Sequence, residues 1–353
     1  MDFTLEELEN LVPKKFQAKQ IYGWIYQKYI TDFQEMSNIS KELRQELSEK
    51  YYISSMEIIN RQVASDGTIK YLFRLQDGRS VETVLIKMRD EKIDKNGDIL
   101  QQARWTICLS TQVGCKVGCS FCLTAKGGFV RDLTAGEIVE QVVAIKRDIN
   151  LEHNRKTNIV YMGMGEPLDN LDNLVQAIKI IANQNGLSIS PKRQTVSTSG
   201  IAPKIDKLGI LGLGVNIAIS LHAVDDEVRN ELIPMNRAFN IQSIIEAIKR
   251  YPYDTRKRVM FEYLMIKGVN DSLKDAKKLI KLLQGIKAKI NLIYFNPYPG
   301  SIYERPNEED MEKFASYLNS KGLLATIRAS RGMDISAACG QLREQHVRIS
   351  QSS

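Results

Sequence analysis

Three of the chain's five cysteines, Cys115, Cys119 and Cys122, fall within eight residues, in the run Gly114-Cys115-Lys116-Val117-Gly118-Cys119-Ser120-Phe121-Cys122. A C-x3-C-x2-C loop commits three thiols to one small region of the fold, and the number three is informative. Thiolates hold iron–sulfur clusters, and a full cubane takes four of them. A local set of three leaves one iron without a protein ligand, and an open metal position is where substrates bind. The bland readings are a structural zinc site or ordinary buried cysteines. Zinc takes four closed ligands, often as two well-separated C-x2-C-like pairs. The remaining cysteines, Cys108 and Cys339, and the histidines His153, His222 and His346 form no second local pair.

The 353 residues allow two domains and a sizeable core. Hydrophobic content of 43% and charged content of 26% are those of an ordinary globular protein. The opening residues Met1-Asp2-Phe3-Thr4-Leu5-Glu6-Glu7 lack the basic and apolar regions of a secretory signal. An uncharged run over 208–224 falls short of the roughly 20 residues that span a bilayer. It is also broken by Gly209, Gly212 and Gly214, and reads as a helix end, a turn and a buried strand. A cytoplasmic protein with no membrane association is therefore expected, in a compartment where thiols stay reduced. The net charge of +7 suits a polyanionic partner such as RNA.

The first fifty residues read as helical, with Pro13 placed to open a helix in which Ile21, Trp24, Ile25 and Lys28 recur at helical spacing. Lys14, Lys15 and Lys19 mix there with Phe16, Tyr22, Trp24 and Tyr26, a combination that serves either RNA contact or a small core. Two β-rich runs, 69–75 and 80–87, flank Gln76-Asp77-Gly78-Arg79, a hairpin signal. The polar stretch 90–102 reads as a surface loop. Beyond it, strands are expected at 105–110, 158–162, 194–197, 214–221, 258–265 and 290–294. Helices are expected at 134–148, opened by a Thr134/Glu137 capping box, and at 171–184, 241–251, 273–283 and 308–320. Alternating units of this kind with right-handed crossovers give a parallel sheet curled into a partial barrel.

In βα barrels chemistry sits at the C-terminal ends of the strands. Here those ends carry the cysteine loop, Gly163-Met164-Gly165-Glu166-Pro167, Ser197-Thr198-Ser199-Gly200, Ser220-Leu221-His222 and Asn296-Pro297-Tyr298-Pro299-Gly300. Gly163 and Gly165 allow close backbone approach to a ligand, and Glu166 can hold a cation or a ribose hydroxyl. Each segment alone also reads as a turn, and His222 equally as a satisfied buried histidine. Cys108 reads as a small core hydrophobe. Cys339, among the small residues of 334–342, reads as part of a mobile, accessible loop. A cysteine-protease reading of Cys339 lacks a histidine partner.

The C-x3-C-x2-C spacing, with Phe121 before the last cysteine, resembles the signature of the radical S-adenosylmethionine (SAM) enzymes. In that superfamily the open iron chelates the amino and carboxylate groups of SAM. The motif Val81-Glu82-Thr83-Val84, Cys108, the cluster loop and the segments 163–167, 197–200, 220–222, 296–300 and 334–342 occur together and in order. Over nearly the whole chain they resemble the RlmN/Cfr family of radical SAM RNA methyltransferases. Pro167 and Ser199 look more like the RlmN branch, which methylates C2 of adenosine in 23S rRNA and tRNA, than the Cfr branch, which methylates C8.

The resemblance implies an α/β fold with a partial (β/α)6 radical SAM barrel over 104–330. It adds a small N-terminal helical accessory domain (1–60), a β-hairpin extension and loop (61–103) and a C-terminal segment with the catalytic cysteine loop (331–353). It implies one 4Fe-4S cluster on Cys115, Cys119 and Cys122, with SAM on the open iron. The implied SAM contacts are Gly165, Glu166, Ser197, Ser220, Leu221, His222 and Asn296.

In the implied chemistry, one SAM methylates Cys339, and a second yields a 5′-deoxyadenosyl radical that abstracts hydrogen from the methyl on Cys339. The carbon radical adds to C2 of the adenine, an electron-poor ring carbon that cannot itself attack the methyl of SAM. Glu82 acts as proton acceptor, and Cys108 releases product through a transient disulfide with Cys339. From the residues alone, Glu82 also reads as an exposed strand carboxylate. Implied partners are 23S rRNA, tRNA and an electron donor such as flavodoxin, with the chain a monomer. Phosphate contacts are expected from Lys14, Lys15, Lys19, Arg131, Lys192, Arg193, Arg328 and Arg331, and the target adenosine must leave its stack. Two alternatives are another radical SAM reaction, such as methylthiolation or activation of a protein partner, and a non-enzymatic metal-stabilised RNA-binding module.

Overall fold

The computed structural model describes residues 1–54, 56–96, 98–153, 155–252 and 257–343. The end of the expected C-terminal segment, 344–353 with His346, lies outside the described residues. At the N-terminus, α1 (Leu5–Glu9) opens on a capping box in which Thr4 and Glu7 exchange hydrogen bonds. Pro13 stands ahead of α2 (Lys15–Tyr26) and not in its first turn. The helix buries Ala18, Ile21, Tyr22, Ile25 and Tyr26 on one face. Ser40 caps α3 (Lys41–Lys50). Tyr22 and Tyr26 are thus core residues, whereas Phe16 is 55% exposed.

A strand that the sequence did not announce, β1 (Glu57–Val63), pairs antiparallel with β2 (Ile69–Arg74). The expected hairpin joins β2 to β3 (Ser80–Arg89), and its turn is closed by the Gly78 amide on the Leu75 carbonyl. The stretch read as a surface loop contains a small ladder, β4 (Lys92–Ile93) with β5 (Ile99–Gln101). Next come β6 (Arg104–Cys108), β7 (Gln112–Gly114), α4 (Leu123–Lys126), β8 (Phe129–Asp132) and α5 (Ala135–Asp148), the last opened by the Thr134/Glu137 box. The βα alternation continues with β9 (Thr157–Tyr161), α6 (Leu171–Ala182), β10 (Gln194–Thr198), α7 (Ala202–Ile210) and β11 (Asn216–Ser220). It ends with α8 (Asp226–Leu232), α9 (Ile241–Arg250), β12 (Val259–Met265), α10 (Leu273–Leu282), β13 (Ala288–Tyr294), α11 (Glu308–Ser320) and β14 (Leu324–Arg328).

Among the described residues ten strands form one sheet in the order β1-β2-β3-β6-β9-β10-β11-β12-β13-β14. From β6 onward every pairing is parallel. The hairpin is no separate appendage, because β3 pairs antiparallel with β6 and extends the same sheet. The sheet stays open, with β1 and β14 at its edges, yet side chains from β3 round to β14 line one cavity. The sheet is therefore curled, as a partial barrel requires. Parallel strands buried on both faces read as apolar runs, which is why 217–219 and 259–265 were legible. β14, a half-exposed edge strand, has no such run. One apolar core runs without a break from Leu5 and Tyr22 through the sheet to Phe314 and Leu342. Among the described residues no helix is long and apolar enough to cross a membrane.

Candidate active site

The cysteine loop is clamped at both ends. β7 and β8 form a short antiparallel ladder at its base, and the Cys115 amide donates to the Gly128 carbonyl at 2.8 Å. Gly114 has φ +74°, and a Cβ there would lie 1.9 Å from that carbonyl oxygen, so only glycine fits. Across the loop the Ser120 amide donates to the Leu232 carbonyl (3.0 Å), and the Tyr298 hydroxyl donates to the Ser120 carbonyl (3.3 Å). Cys122 stands at the start of α4, with its amide on the Cys119 carbonyl. All three thiols are free, half-buried and directed into the same cavity of about 180 Å³.

Burial pushes the Cys115 thiol up to about 12 and the Cys119 thiol well up, and Cys122 adds to both. Three soft donors in so apolar a place ionise only against a strongly thiophilic cationic centre. The donor set therefore fits an iron–sulfur cluster. Among the described residues no three His, Cys, Asp or Glu side chains converge on a single-ion site. A cubane set need not, because its thiolates bind different iron atoms.

The other strand ends close the cavity, though not always as the sequence suggested. Gly163 and Gly165 line it, but protein atoms explain their lack of a side chain. A Cβ on Gly163 would meet the Leu109 carbonyl at 2.7 Å, and one on Gly165, where φ is +104°, would meet Gln112 at 2.7 Å. Glu166 is 3% exposed, and its carboxylate accepts the amides of Ser199 (2.7 Å) and Leu168 (3.1 Å). It joins the second strand end to the third, while burial holds its carboxyl above the usual range. Ser197 and Ser220 line the cavity with hydroxyl oxygens 3.5 Å apart.

His222 also lines the cavity, at φ +59°, and its Nδ1 accepts the Leu264 amide at 3.0 Å. That bond places the ring proton on Nε2. Burial, with Arg229 adding, lowers its pKa to about 3, so the imidazole is neutral. Leu221 lies behind the lining with its side chain in the core. Asn296 likewise stands outside the lining, with Nδ2 on the Cys339 carbonyl at 3.4 Å and Oδ1 accepting from Ser330 and Arg305.

Cys108, at the end of β6, and Cys339, in the C-terminal segment, line the same cavity as the three-cysteine loop. Burial, then Cys339, push the Cys108 thiol up to about 12. The Cys339 side chain is exposed, as expected, but its loop does not hang free. Besides Asn296, the Leu123 amide holds the Gly340 carbonyl (2.7 Å) and the Thr124 hydroxyl holds the Leu342 carbonyl (2.6 Å). The Ser65 amide bonds the Asp334 carboxylate (2.9 Å) and Gln341 bonds the Pro297 carbonyl (3.0 Å). Glu82 is buried, against the reading of an exposed strand carboxylate: it is 2% exposed, pairs with Lys70 at 3.0 Å and accepts the Arg343 amide at 2.7 Å. It shares a strand face with Val84 and Ile86, which line the cavity.

Two residues of the site, Arg229 and Glu262, carry no signal in the sequence, and a third, Arg328, reads there as a phosphate contact. Arg229, fully buried on α8, donates to the carbonyls of Leu221 (2.9 Å), Ser199 (2.5 Å) and Ser220 (3.0 Å) and to Asn236 (2.7 Å). Glu262 on β12 and Arg328 on β14 line the cavity. The surroundings of Arg328 are Cys339, Glu262 and Cys108, not the solvent-facing setting of a phosphate contact. A lone charge in a short polar helix or at a strand end carries no sequence signal of burial.

A family profile for the Radical SAM superfamily matches residues 109–283, and one for the ribosomal RNA large subunit methyltransferase N-terminal domain matches residues 1–53. The dual-specificity RNA methyltransferase RlmN of Sulfurimonas denitrificans is 64% identical over 345 residues, covering 98% of this chain and 97% of that protein. This chain belongs to the RlmN family. The RlmN of Wolinella succinogenes is 60% identical over 347 residues, with 98% and 97% of the two chains covered. A crystal structure of a radical SAM methyltransferase from Sphaerobacter thermophilus superimposes with a TM-score of 0.89 at 42% identity, covering 98% of both chains. The RlmN resemblance read from the ordered motifs thus holds over almost the full length.

Proposed function

We propose that this chain is a radical SAM methyltransferase that places a methyl group on C2 of adenosine in 23S rRNA and tRNA, with a methylated Cys339 as intermediate. One observation carries the reading: a single cavity gathers the three-cysteine loop and both remaining cysteines. Cys115, Cys119 and Cys122 would hold the 4Fe-4S cluster, and the cavity wall of Gly165, Glu166, Ser197, Ser220 and His222 would receive SAM. When bound, the cluster and SAM supply one-electron chemistry that activates an otherwise inert methyl group.

The chain's own residues do the rest. Cys339 carries the methyl on its sulfur, and its tethered loop holds that sulfur at the cavity mouth. Cys108, across the cavity, attacks the Cys339 sulfur to free the product, leaving a disulfide that a reductant reopens. Glu82 takes the proton lost from C2, with Lys70 and the Arg343 amide fixing its carboxylate. Glu166 and Arg229 set the spacing of the strand ends, and neutral His222 offers a hydrogen-bond donor without a charge. Residues 1–53 with their exposed lysines act as the RNA-binding part, and a low-potential donor such as flavodoxin supplies electrons.

The test is anaerobic reconstitution with iron and sulfide, then incubation with reductant, methyl-labelled SAM and each RNA. Mass spectrometry of the nucleosides is expected to find 2-methyladenosine, lost in Cys339→Ala. Labelled 8-methyladenosine alone would overturn the C2 assignment. Undiminished product from Cys339→Ala would overturn the methyl-cysteine route.

A further inference from the structure

Two ionisable side chains that line the cavity are left incompletely partnered. Glu262 is 3% exposed: Oε1 accepts the Asn291 amide at 3.0 Å, while Oε2 is buried with no hydrogen-bond partner. The Arg328 guanidinium, enclosed by Cys339, Glu262 and Cys108, makes neither a hydrogen bond nor an ion pair within the described residues. The two groups feel each other's field, yet lie farther apart than the 4.0 Å of an ion pair. Burying a charge without a partner is costly, and proteins pair such groups or neutralise them. Here the fold positions a carboxylate and a guanidinium on one cavity and leaves the space between them open.

Burial pushes the Glu262 carboxyl up while Arg328 favours its ionised form, and an occupant that gives a hydrogen to Glu262 and accepts one from Arg328 satisfies both groups. The sheet register narrows its chemistry. Glu262 stands beside Ser220 on β11, whose hydroxyl is 3.5 Å from that of Ser197 on β10. Two hydroxyls and a carboxylate thus form a polar row along the cavity wall. A ribose diol suits such a row, because each hydroxyl both donates and accepts. The nucleoside's base or ring oxygen supplies the acceptor for Arg328. We propose that Glu262 and Arg328 together bind an adenosine group, Glu262 accepting from a ribose hydroxyl and Arg328 donating to an acceptor atom of the same nucleoside. This rests on the function proposed above, in which two adenosines enter the site: that of SAM and that of the RNA.

The experiment compares reconstituted wild type with Glu262→Gln and Arg328→Met. SAM binding is measured by equilibrium dialysis without reductant. RNA binding is measured by anisotropy on a hairpin with a single unpaired adenosine and on its uridine counterpart. Iron content and thermal midpoint report folding. Glu262→Asp and Arg328→Lys, which keep charge but displace it, are run alongside and are expected to weaken the same ligand if either first variant fails to hold iron.

Loss of a hydrogen bond to a charged group is expected to weaken binding roughly ten- to a hundred-fold. Weakening of SAM alone assigns the pair to the cofactor's adenosine. Loss of adenosine-over-uridine preference alone assigns it to the target. Folded variants that leave both affinities at wild-type values overturn the inference. Wild-type protein that binds no SAM overturns the proposed function instead.

Discussion

Arg229 shows how much of the site rests on a residue that does not line the cavity. Its guanidinium donates to three strand-end carbonyls and to Asn236, and burial lowers its pKa only to about 10, so it stays charged. Arg229→Met keeps the volume but leaves buried acceptors unsatisfied, at about 1–3 kcal/mol for each group. A loss of about 3 kcal/mol or more in denaturant unfolding is expected; a loss below about 1 kcal/mol would remove Arg229 from this role. His222 gives a test with a sign. Its folded pKa, about 3, lies below its ordinary 6.5, so the unfolded chain binds more protons between those values. Its contribution is complete above about pH 6.5 and is lost as pH falls towards 3. Between about pH 7.5 and pH 5 the loss is roughly 2 kcal/mol. In His222→Asn, a residue that tolerates positive φ, the stability difference between those two pH values is expected to shrink by that amount. The cysteines and His222 were legible because their chemistry is written in residue type and spacing. Arg229, Glu262 and Arg328 were not, because their burial is decided by strands far apart in the chain.

Local elements were readable where they carry their own signal. The Thr134/Glu137 box opens α5 as the sequence says, and the parallel strands announce themselves as apolar runs between helices. β7 and β8 carry no such signal: three and four residues long, they exist because the chain turns back on itself around the cysteines. The glycines of 163–167 were assigned to ligand approach, whereas Leu109, Ser110 and Gln112 claim the space first. Only tertiary contact reveals that difference. The small ladder therefore makes a pointed prediction. Gly114→Ala sets a methyl group against the Gly128 carbonyl and forbids the left-handed backbone, so the ladder must open. Because Val113 is the ladder's one member of the apolar core, the circular dichroism of Gly114→Ala is expected to stay close to wild type while iron and sulfide per chain fall at least several-fold after reconstitution. Wild-type iron content in this variant would show that the ladder does not set the cysteine geometry.

Across the whole molecule, the N-terminal helices are docked on the barrel's outer helices and contribute nothing to its cavity. The Gly136 amide at the start of α5 donates to Asp2 (2.6 Å), and the Tyr29 hydroxyl donates to the Leu151 carbonyl (3.1 Å). No residue of 1–53 lines the cavity of the cysteines. Under the proposed function this separation divides the tasks, reach in one region and chemistry in the other, and the division can be measured. Lys14, Lys15 and Lys19 are exposed beside Phe16, and the chain carries a net charge of +7. Each lysine that meets a phosphate releases counterions, so the logarithm of RNA affinity falls linearly with the logarithm of salt, by about 0.7 per contact on single strands. Replacing all three by alanine is expected to weaken RNA binding for adenosine- and uridine-bearing hairpins alike and to flatten the salt slope by about 2. The KM for RNA rises while kcat at saturating RNA stays near wild type, because the lysines act before the base reaches the cavity. An unchanged salt slope would place the RNA on another face. A fall in kcat with KM unchanged would instead couple these helices to the chemistry itself.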